Sequence, residues 1–207
     1  MTAAQARALD TLSDEYLLKL PEGPIGSSLW AAEFSRAAPL AIEIGFGNGV
    51  ALAHLALANP DWNCVGVDVY RPGFGALMLA CQKDGIGNVR IVESEALTLL
   101  RRLAPASVRL VNVFFPDPWP KARHHKRRLV NADFGSAVAG CLESAGTLSL
   151  ATDWEPYAEQ MVEILAAVPT LHGGQTERPD SRPMTAFEAK GTAAGRAVVD
   201  LTYRRVG

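Results

Sequence analysis

The residues best suited to chemistry lie in one stretch, Phe114–Val130, which reads FFPDPWPKARHHKRRLV. An apolar strand end runs into a turn in which Asp117 lies between Pro116 and Pro118, so its carboxylate is carried on a stiff backbone. Five lysines and arginines then occupy the eight residues 121–128. The whole chain carries a net charge of −2, so everything outside this run carries −7. A stiff acidic turn beside a basic run suits an enzyme that binds a polyanion, most simply a nucleic acid, and acts on one group of it.

Three acidic side chains are placed by the predicted strands at one edge of a sheet. Glu43 precedes the glycine-rich turn Gly45–Gly49, Asp68 closes the next strand, and Glu95 follows the third. In open parallel sheets, ligands bind at the edge formed by the carboxyl ends of the strands. Each acid alone fits a structural role at least as well, but the three together favour a cofactor site.

The glycine turn helps to distinguish between cofactors. A dinucleotide fingerprint needs a glycine where Val50 stands, and the Glu43 carboxylate would repel a pyrophosphate. A cationic ligand such as S-adenosylmethionine, with its sulfonium and ammonium groups, fits better. We expect Asp68 to accept hydrogen bonds from the ribose hydroxyls and Glu95 to lie near the adenine amino group.

Short apolar runs alternate with amphipathic stretches after Pro39. The runs predict strands at Leu40–Ile44, Cys64–Val69, Val89–Val92, Val108–Phe114 and Gly146–Ala151. The other stretches predict helices at 49–58, 72–83, 95–103, 132–143 and 154–167. This alternation predicts an α/β fold in which helices cover both faces of a mainly parallel sheet.

The two ends of the chain depart from this alternation. Helical spacing of apolar residues over 3–20 predicts a helix, which ends at Pro21–Pro24. The stretch Pro169–Gly191 is rich in turn residues, and Arg196–Tyr203 predicts a last strand that pairs with the sheet.

Length and composition limit the classes of protein. A chain of 207 residues that is 48 % hydrophobic and 20 % charged fits one domain, 1–207, on which the helical segment 1–38 packs. No apolar run approaches the roughly 18 residues of a membrane span, and the start lacks a secretory signal. The three cysteines are widely spaced and odd in number, so we expect buried free thiols in a reducing compartment, by default the cytoplasm. The four histidines show no metal-ligand spacing.

Four segments resemble the tRNA (guanine-N7)-methyltransferase family. They are EIGFGNG at 43–49, FFPDPWPKARHHKRR at 114–128, ATDWEPYAE at 151–159 and RPMTAFEAKG at 182–191. The second is the most specific, and the resemblance covers nearly the whole chain. It implies a Rossmann-like class I methyltransferase fold with a seven-stranded sheet and S-adenosylmethionine as methyl donor. The implied acceptor is N7 of guanine(46) in the variable loop of tRNA, and the bacterial single-chain type implies a monomer or homodimer without an obligatory protein partner.

The resemblance also implies roles for individual residues. Asp117 takes the catalytic position, and the cofactor contacts fall on Glu43, Gly45, Gly47, Asp68, Glu95 and Asp117. The substrate contacts fall on Lys121, Arg123, His124, His125, Lys126, Arg127, Arg128, Asp153, Thr185, Ala186, Phe187 and Glu188. Ala186 stands where a lysine is usual, which removes one possible contact to a phosphate or base.

The chemistry of guanine N7 sets the task of these residues. N7 carries a free lone pair at neutral pH, so methylation needs orientation and charge stabilisation rather than deprotonation. We therefore expect Asp117 to act by orientation and electrostatics. A carboxylate matches the two donors on the Watson–Crick edge of guanine, which makes Asp153 or Glu188 a candidate for discrimination. Trp119 either stacks on an exposed base or packs the turn down.

Other functions compete with this interpretation. A small-molecule methyltransferase has no need of the basic run, and an RNA-binding module without activity has no need of the acids. A nucleotide-dependent dehydrogenase is disfavoured by Glu43 and Val50. The basic run also fits a solvated helix face, although it lacks interleaved acids and directly follows the acidic turn.

Overall fold

The apolar runs form one parallel-rich sheet in a computed structural model, which describes residues 1–179 and 182–207. The strands in this part of the chain are β1 (Leu40–Ile44), β2 (Asn63–Asp68), β3 (Val89–Glu93), β4 (Val108–Phe114), β5 (Leu142–Thr152), β6 (Leu171–Thr176) and β7 (Val199–Arg205). Their spatial order is β3-β2-β1-β4-β5-β7-β6. The first five run parallel, whereas β7 is antiparallel to both β5 and β6. The α/β fold with a mainly parallel sheet is confirmed.

Helices cover both faces of the sheet. They are α1 (Ala3–Tyr16), α2 (Ser27–Glu33), α3 (Val50–Ala58), α4 (Arg71–Asp84), α5 (Ala96–Leu100), α6 (Ala132–Cys141), α7 (Glu155–Ala166) and α8 (Ala186–Ala193), with a 3₁₀ helix at Ala122–Arg127. One core contains buried side chains of α1, α3 and α4, such as Leu52 and Phe74. The other contains buried side chains of α5, α6 and α7, such as Phe134 and Tyr157. Burial of apolar area in these two layers is the main driving force for the fold.

The strands and helices observed in residues 40–167 lie close to their predicted positions. Strands β1 and β4 have the predicted bounds, β2 is shifted by one residue at both ends, and β3 ends one residue later than predicted. Strand β5 begins earlier than predicted, at Leu142, and pairs irregularly with β4 near its start. Strand β7 begins and ends later than the predicted Arg196–Tyr203.

The prediction of turns over Pro169–Gly191 was wrong in two places. Strand β6 occupies Leu171–Thr176, and α8 begins at Ala186. His172, which the sequence places in a loop, therefore lies in a strand. The sequence HGGQT has little intrinsic preference for a strand, but β7 offers a full ladder of backbone partners, and tertiary pairing outweighs local propensity.

The N-terminal helix is shorter than its apolar pattern predicts. It begins with a capping box, in which Thr2 and Gln5 bond to each other's backbone, and it ends at Tyr16 rather than at residue 20. Leu18 donates a backbone hydrogen bond to the carbonyl of Ile91 in β3 over 2.8 Å, so the chain after the helix bonds to the edge of the sheet. Helix α1 packs against α4.

The three cysteines are buried and free, as predicted. Burial raises the pKa of Cys64, Cys81 and Cys141 to about 12. Among the described residues, no helix has both the length and the apolarity that a membrane crossing requires.

Candidate active site

A glycine-rich turn joins β1 to α3 at the carboxyl edge of the sheet. Gly45, Gly47 and Gly49 have φ values of 69°, 55° and 77°, a region that side chains with a Cβ rarely adopt. At Gly49 an added Cβ would also lie 2.7 Å from the Leu77 side chain, whereas at Gly45 and Gly47 it would meet open space. The turn therefore packs against α4 at Gly49 and leaves open space at Gly45 and Gly47.

Asp68 fixes this turn from the end of β2. Its Oδ2 accepts the backbone N–H of Gly47 over 3.0 Å, and its Oδ1 accepts those of Val69 and Tyr70. The carboxylate is half-buried; Oδ1 already accepts two hydrogen bonds, whereas Oδ2 retains a second lone pair for a ligand donor.

Glu43 is buried in β1 just before the turn. Its side chain is 3 % exposed, and its Oε2 has no hydrogen-bond partner among the described residues. Burial raises its pKa to about 8, and the nearby charge of Asp68 acts in the same direction. An acid that is this poorly compensated is one that a ligand cation would stabilise.

A cavity of about 400 Å³ opens at the same edge of the sheet. Gly45, Asp68 and the exposed Glu95, which directly precedes α5, are among its lining residues. Residues 126–129, the end of the basic run and the leucine after it, line the same cavity. Glu43 and Asp117 are not among its lining residues; Glu43 lies two residues before Gly45 in the chain. We call this space the strand-end cavity.

Asp117 lies in a turn whose backbone is strained on both sides. Phe115 has a φ of 53° and Trp119 a φ of 42°, unusual values for bulky residues and worth about 1–3 kcal/mol each. Phe115 is held by a 2.7 Å hydrogen bond from its N–H to the Ala151 carbonyl of β5. Asp117 itself is exposed, and its side chain bonds to none of the described residues. The turn therefore presents a free carboxylate on a constrained backbone.

Arg128, at the end of the basic run, is buried and holds this turn. Its Nε donates to the Pro118 carbonyl over 2.8 Å, its Nη1 donates to Gln160, and its guanidinium lies 4.8 Å from the centre of the Tyr157 ring. At 3 % exposure it has little surface for a tRNA phosphate, in contrast to the expected RNA-facing role. The sequence pattern of five cations does not distinguish this inward residue from the outward ones.

The rest of the basic run is solvent-facing. Lys121, Arg123, Lys126 and Arg127 are exposed and pair with no acid in the described part of the chain. His124 and His125, on the 3₁₀ helix, are half-buried.

Trp119 packs against this 3₁₀ helix. Arg127 lies 4.9 Å from the centre of its ring, and His124 meets the ring edge-on at 5.8 Å. This packing matches the second of the two roles considered for Trp119.

Two of the predicted substrate residues beyond β5, Asp153 and Glu188, form ion pairs with arginines. Asp153 is partly exposed and accepts from Arg196 over 2.7 Å. Thr185 caps α8 by accepting the N–H of Glu188, and Glu188 is buried against Arg182. The side chains of Ala186 and Phe187 lie outside the described residues.

Comparison with known proteins identifies the family. Residues 37–201 match a family model described as putative methyltransferase. The chain is 42 % identical to the tRNA (guanine-N(7)-)-methyltransferase of Pseudomonas putida strain W619, covering 100 % of this chain and 88 % of the relative. It is 43 % identical to the enzyme of that name from Acidithiobacillus ferrooxidans, covering 100 % and 90 %. The chain belongs to the tRNA (guanine-N7)-methyltransferase family.

More distant solved structures share the fold of this tRNA (guanine-N7)-methyltransferase family member. A variant 16S rRNA (adenine(1408)-N(1))-methyltransferase from Catenulisporales acidiphilia, solved with cosubstrate SAM, has a TM-score of 0.61 at 19 % identity and covers 92 % of this chain and 93 % of its own. An rRNA methylase from Streptococcus thermophilus has a TM-score of 0.56 at 14 % identity, with coverage of 82 % and 88 %. At these identities the likeness shows the class I methyltransferase fold alone.

Sequence reasoning about this methyltransferase missed two features of the site. The left-handed backbone at Phe115 and Trp119 has no signal in the residue types, because bulky aromatic residues rarely take such φ values. The buried ion pairs of Arg182 with Glu188 and Asp200 were also missed, although its position at the start of the segment RPMTAFEAKG could have drawn attention to it.

Proposed function

We propose that this protein transfers the methyl group of S-adenosylmethionine to N7 of a variable-loop guanosine in tRNA. One observation carries the proposal: the strand-end cavity is lined both by the acids Asp68 and Glu95 and by Lys126 and Arg127 of the basic run. A cationic donor and a polyanionic acceptor would thus meet at one cleft. The names of the full-length relatives support this substrate and this position on the base.

The residues around the glycine turn fit the donor. S-adenosylmethionine, when bound, supplies a methyl group activated by a positively charged sulfur. Glu43, whose Oε2 is unpartnered, gains negative charge beside the turn when a ligand cation favours its ionised form. The open space at Gly45 and Gly47 lets a ligand approach the backbone. Asp68 Oδ2 offers an acceptor for a ribose hydroxyl, and Glu95 offers one for the adenine amino group.

Asp117 acts on the acceptor guanine in this proposal. Because N7 needs no deprotonation, the side chain orients the base and stabilises the positive charge that the purine gains. The prolines on both sides and the bond from Arg128 to Pro118 limit the motion of the backbone that carries the carboxylate. Preorganisation of this kind reduces the reorganisation that the reaction would otherwise require.

Asp153 is the better of the two candidates for reading the guanine. Its Oδ2 accepts from Arg196, its side chain is 22 % exposed, and it lies directly after β5 at the same sheet edge as Phe114. Glu188 is 2 % exposed, and both of its oxygens already accept from arginines. We therefore assign the donors N1–H and N2–H₂ of guanine to Asp153.

The exposed cations of the basic run bind tRNA phosphates in this proposal. Lys121, Arg123, Lys126 and Arg127 have no competing acid among the described residues, so their charge is available to a polyanion. We propose one methyltransferase domain over the whole chain, with 1–38 packed on it. A monomer or homodimer without an obligatory protein partner, and a cytoplasmic location, stay predictions.

The experiment that tests the proposal uses the full chain, labelled S-adenosylmethionine and an unmodified tRNA transcript. After digestion to nucleosides, we expect the label in 7-methylguanosine. A matched transcript made with 7-deazaguanosine lacks the N7 lone pair and should accept no label. Label in another nucleoside, or equal labelling of the deaza transcript, would refute the assignment to N7; binding without transfer would favour an RNA-binding module.

A further inference from the structure

Arg182 is the centre of a buried ion-pair cluster next to the candidate active site. Its side chain is 2 % exposed and binds two carboxylates. Its Nε and Nη2 donate to Asp200 over 2.7 and 2.9 Å, and its Nη1 and Nη2 donate to Glu188 over 2.7 and 3.0 Å. Four bonds of this geometry leave one of the five guanidinium donors for other use.

The positive and negative charges of this cluster balance without a ligand. Arg178 donates to Glu188 over 2.8 Å and to the Arg182 carbonyl over 2.9 Å. Two arginines thus face the two carboxylates of Glu188 and Asp200. Because the charges balance and both oxygens of Glu188 are occupied, this carboxylate does not need a guanine to compensate its burial.

The same guanidinium also lies near the end of β4, which leads into the turn that carries Asp117. It lies 5.7 Å from the ring centre of Phe114 and 5.6 Å from that of Phe115. Phe115 is the strained residue that precedes Pro116 and Asp117. Arg182 therefore touches three parts of the chain: the end of β4, strand β7 at Asp200 and the first turn of α8 at Glu188.

We infer that Arg182 is a positioning residue that aligns the start of α8, with Thr185, to the turn that carries Asp117. This inference rests on the proposed function and deepens it: Glu188 is the anchor for Arg182, while Asp153 reads the base. A lysine cannot replace the arginine, because one ammonium group lacks the planar fork that binds two carboxylates and stacks on aromatic rings.

The test is Arg182→Lys, with Arg109→Lys as the matched control. Arg109 makes a similar bond, 2.8 Å to Glu143, but at the opposite end of β4 and at the surface. For Arg182→Lys we expect kcat for 7-methylguanosine formation to fall about 10- to 100-fold, since misplacement by about 1 Å has effects of this size. Affinity for S-adenosylhomocysteine, measured by calorimetry, should stay within about twofold, because Arg182 does not line the strand-end cavity. Arg109→Lys should match the wild type.

A double-mutant cycle distinguishes positioning from general destabilisation. We expect Glu188→Gln to lower kcat and leave KM for tRNA near the wild-type value, and the double variant to be no worse than Arg182→Lys. A large rise in KM for Glu188→Gln with kcat unchanged would show that Glu188 binds the base and would overturn the inference. If Arg182→Lys does not fold, Asp200→Asn, which keeps the pair with Glu188, replaces it with the same expected loss of kcat.

The outcomes also distinguish this inference from the proposed function. A wild-type protein that forms no 7-methylguanosine overturns the proposed function and this inference with it. A wild-type protein that forms it, together with a fully active Arg182→Lys, overturns the inference alone.

Discussion

Arg128 Nε donates a hydrogen bond to the backbone carbonyl of Pro118, and the two atoms are 2.8 Å apart. The last arginine of the basic run thus supports the turn that presents Asp117, while its neighbour Arg127 stays at the surface over Trp119. Two adjacent arginines therefore have different tasks. One fixes the geometry of the turn, and the other leaves its charge free for a polyanion.

The first prediction separates these two arginines. The binding constant for tRNA falls as salt rises, and Arg127→Met should make the negative slope of its logarithm against log salt concentration shallower by about 1, because one phosphate contact is lost. Arg128→Met should leave that slope unchanged and lower the free energy of unfolding by about 1–3 kcal/mol, since Pro118 and Gln160 lose a donor. Filter binding over a salt series and urea unfolding measure the two effects. Equal changes of slope in both variants would contradict the division.

The second prediction concerns Asp117. Asp117→Asn should reduce kcat about 10²- to 10³-fold, an effect typical of losing one preorganised electrostatic group in an active site. The free energy of unfolding should change by less than about 0.5 kcal/mol, because the side chain is exposed. The surface acid Asp61, changed to Asn, is the control and should affect neither quantity. A fully active Asp117→Asn would show that another residue has this role.

The third prediction is a pH dependence of stability due to Glu43. Its pKa is about 8 in the folded protein, against an ordinary value of 4.5. Between these values the folded state keeps a proton that the unfolded state releases, so this group lowers the free energy of unfolding by up to about 1.4 kcal/mol per pH unit as the pH rises. Glu43→Gln should remove this slope: it should be more stable than the wild type at pH 8 and lose that advantage towards pH 5. Parallel stability curves for the two proteins would exclude the effect.

The fourth prediction links the same carboxyl to cofactor binding. A cation near Glu43 favours its ionised form, so binding of S-adenosylmethionine at pH 7 should release up to about one proton. Calorimetry in two buffers that differ in ionisation enthalpy measures the number released. Glu43→Gln is the control and should release fewer protons. An identical proton count for both proteins would mean that the ligand leaves Glu43 protonated.

The sequence by itself determined the fold class and the placing of the acids. Strand–helix alternation from Leu40 to Ala166 allows few arrangements other than a parallel sheet with two helical layers, and the carboxyl ends of such strands meet at one edge. Glu43, Asp68 and Glu95 therefore come to one region of the molecule because of topology alone. Local patterns did not show β6, because its glycines have little strand preference and its pairing with β7 depends on a distant part of the chain.

Only the tertiary structure decided which charged residues face outward. Arg127 and Arg128 are adjacent and alike in the sequence, yet one is exposed and the other is buried against Tyr157. Asp153 and Glu188 are equally suited to guanine by their chemistry, but only Glu188 is enclosed by arginines. The physical reason is that burial and pairing depend on contacts between segments far apart in the chain. Such contacts set the free energy of each charge, and the residues next to it in the sequence do not indicate them.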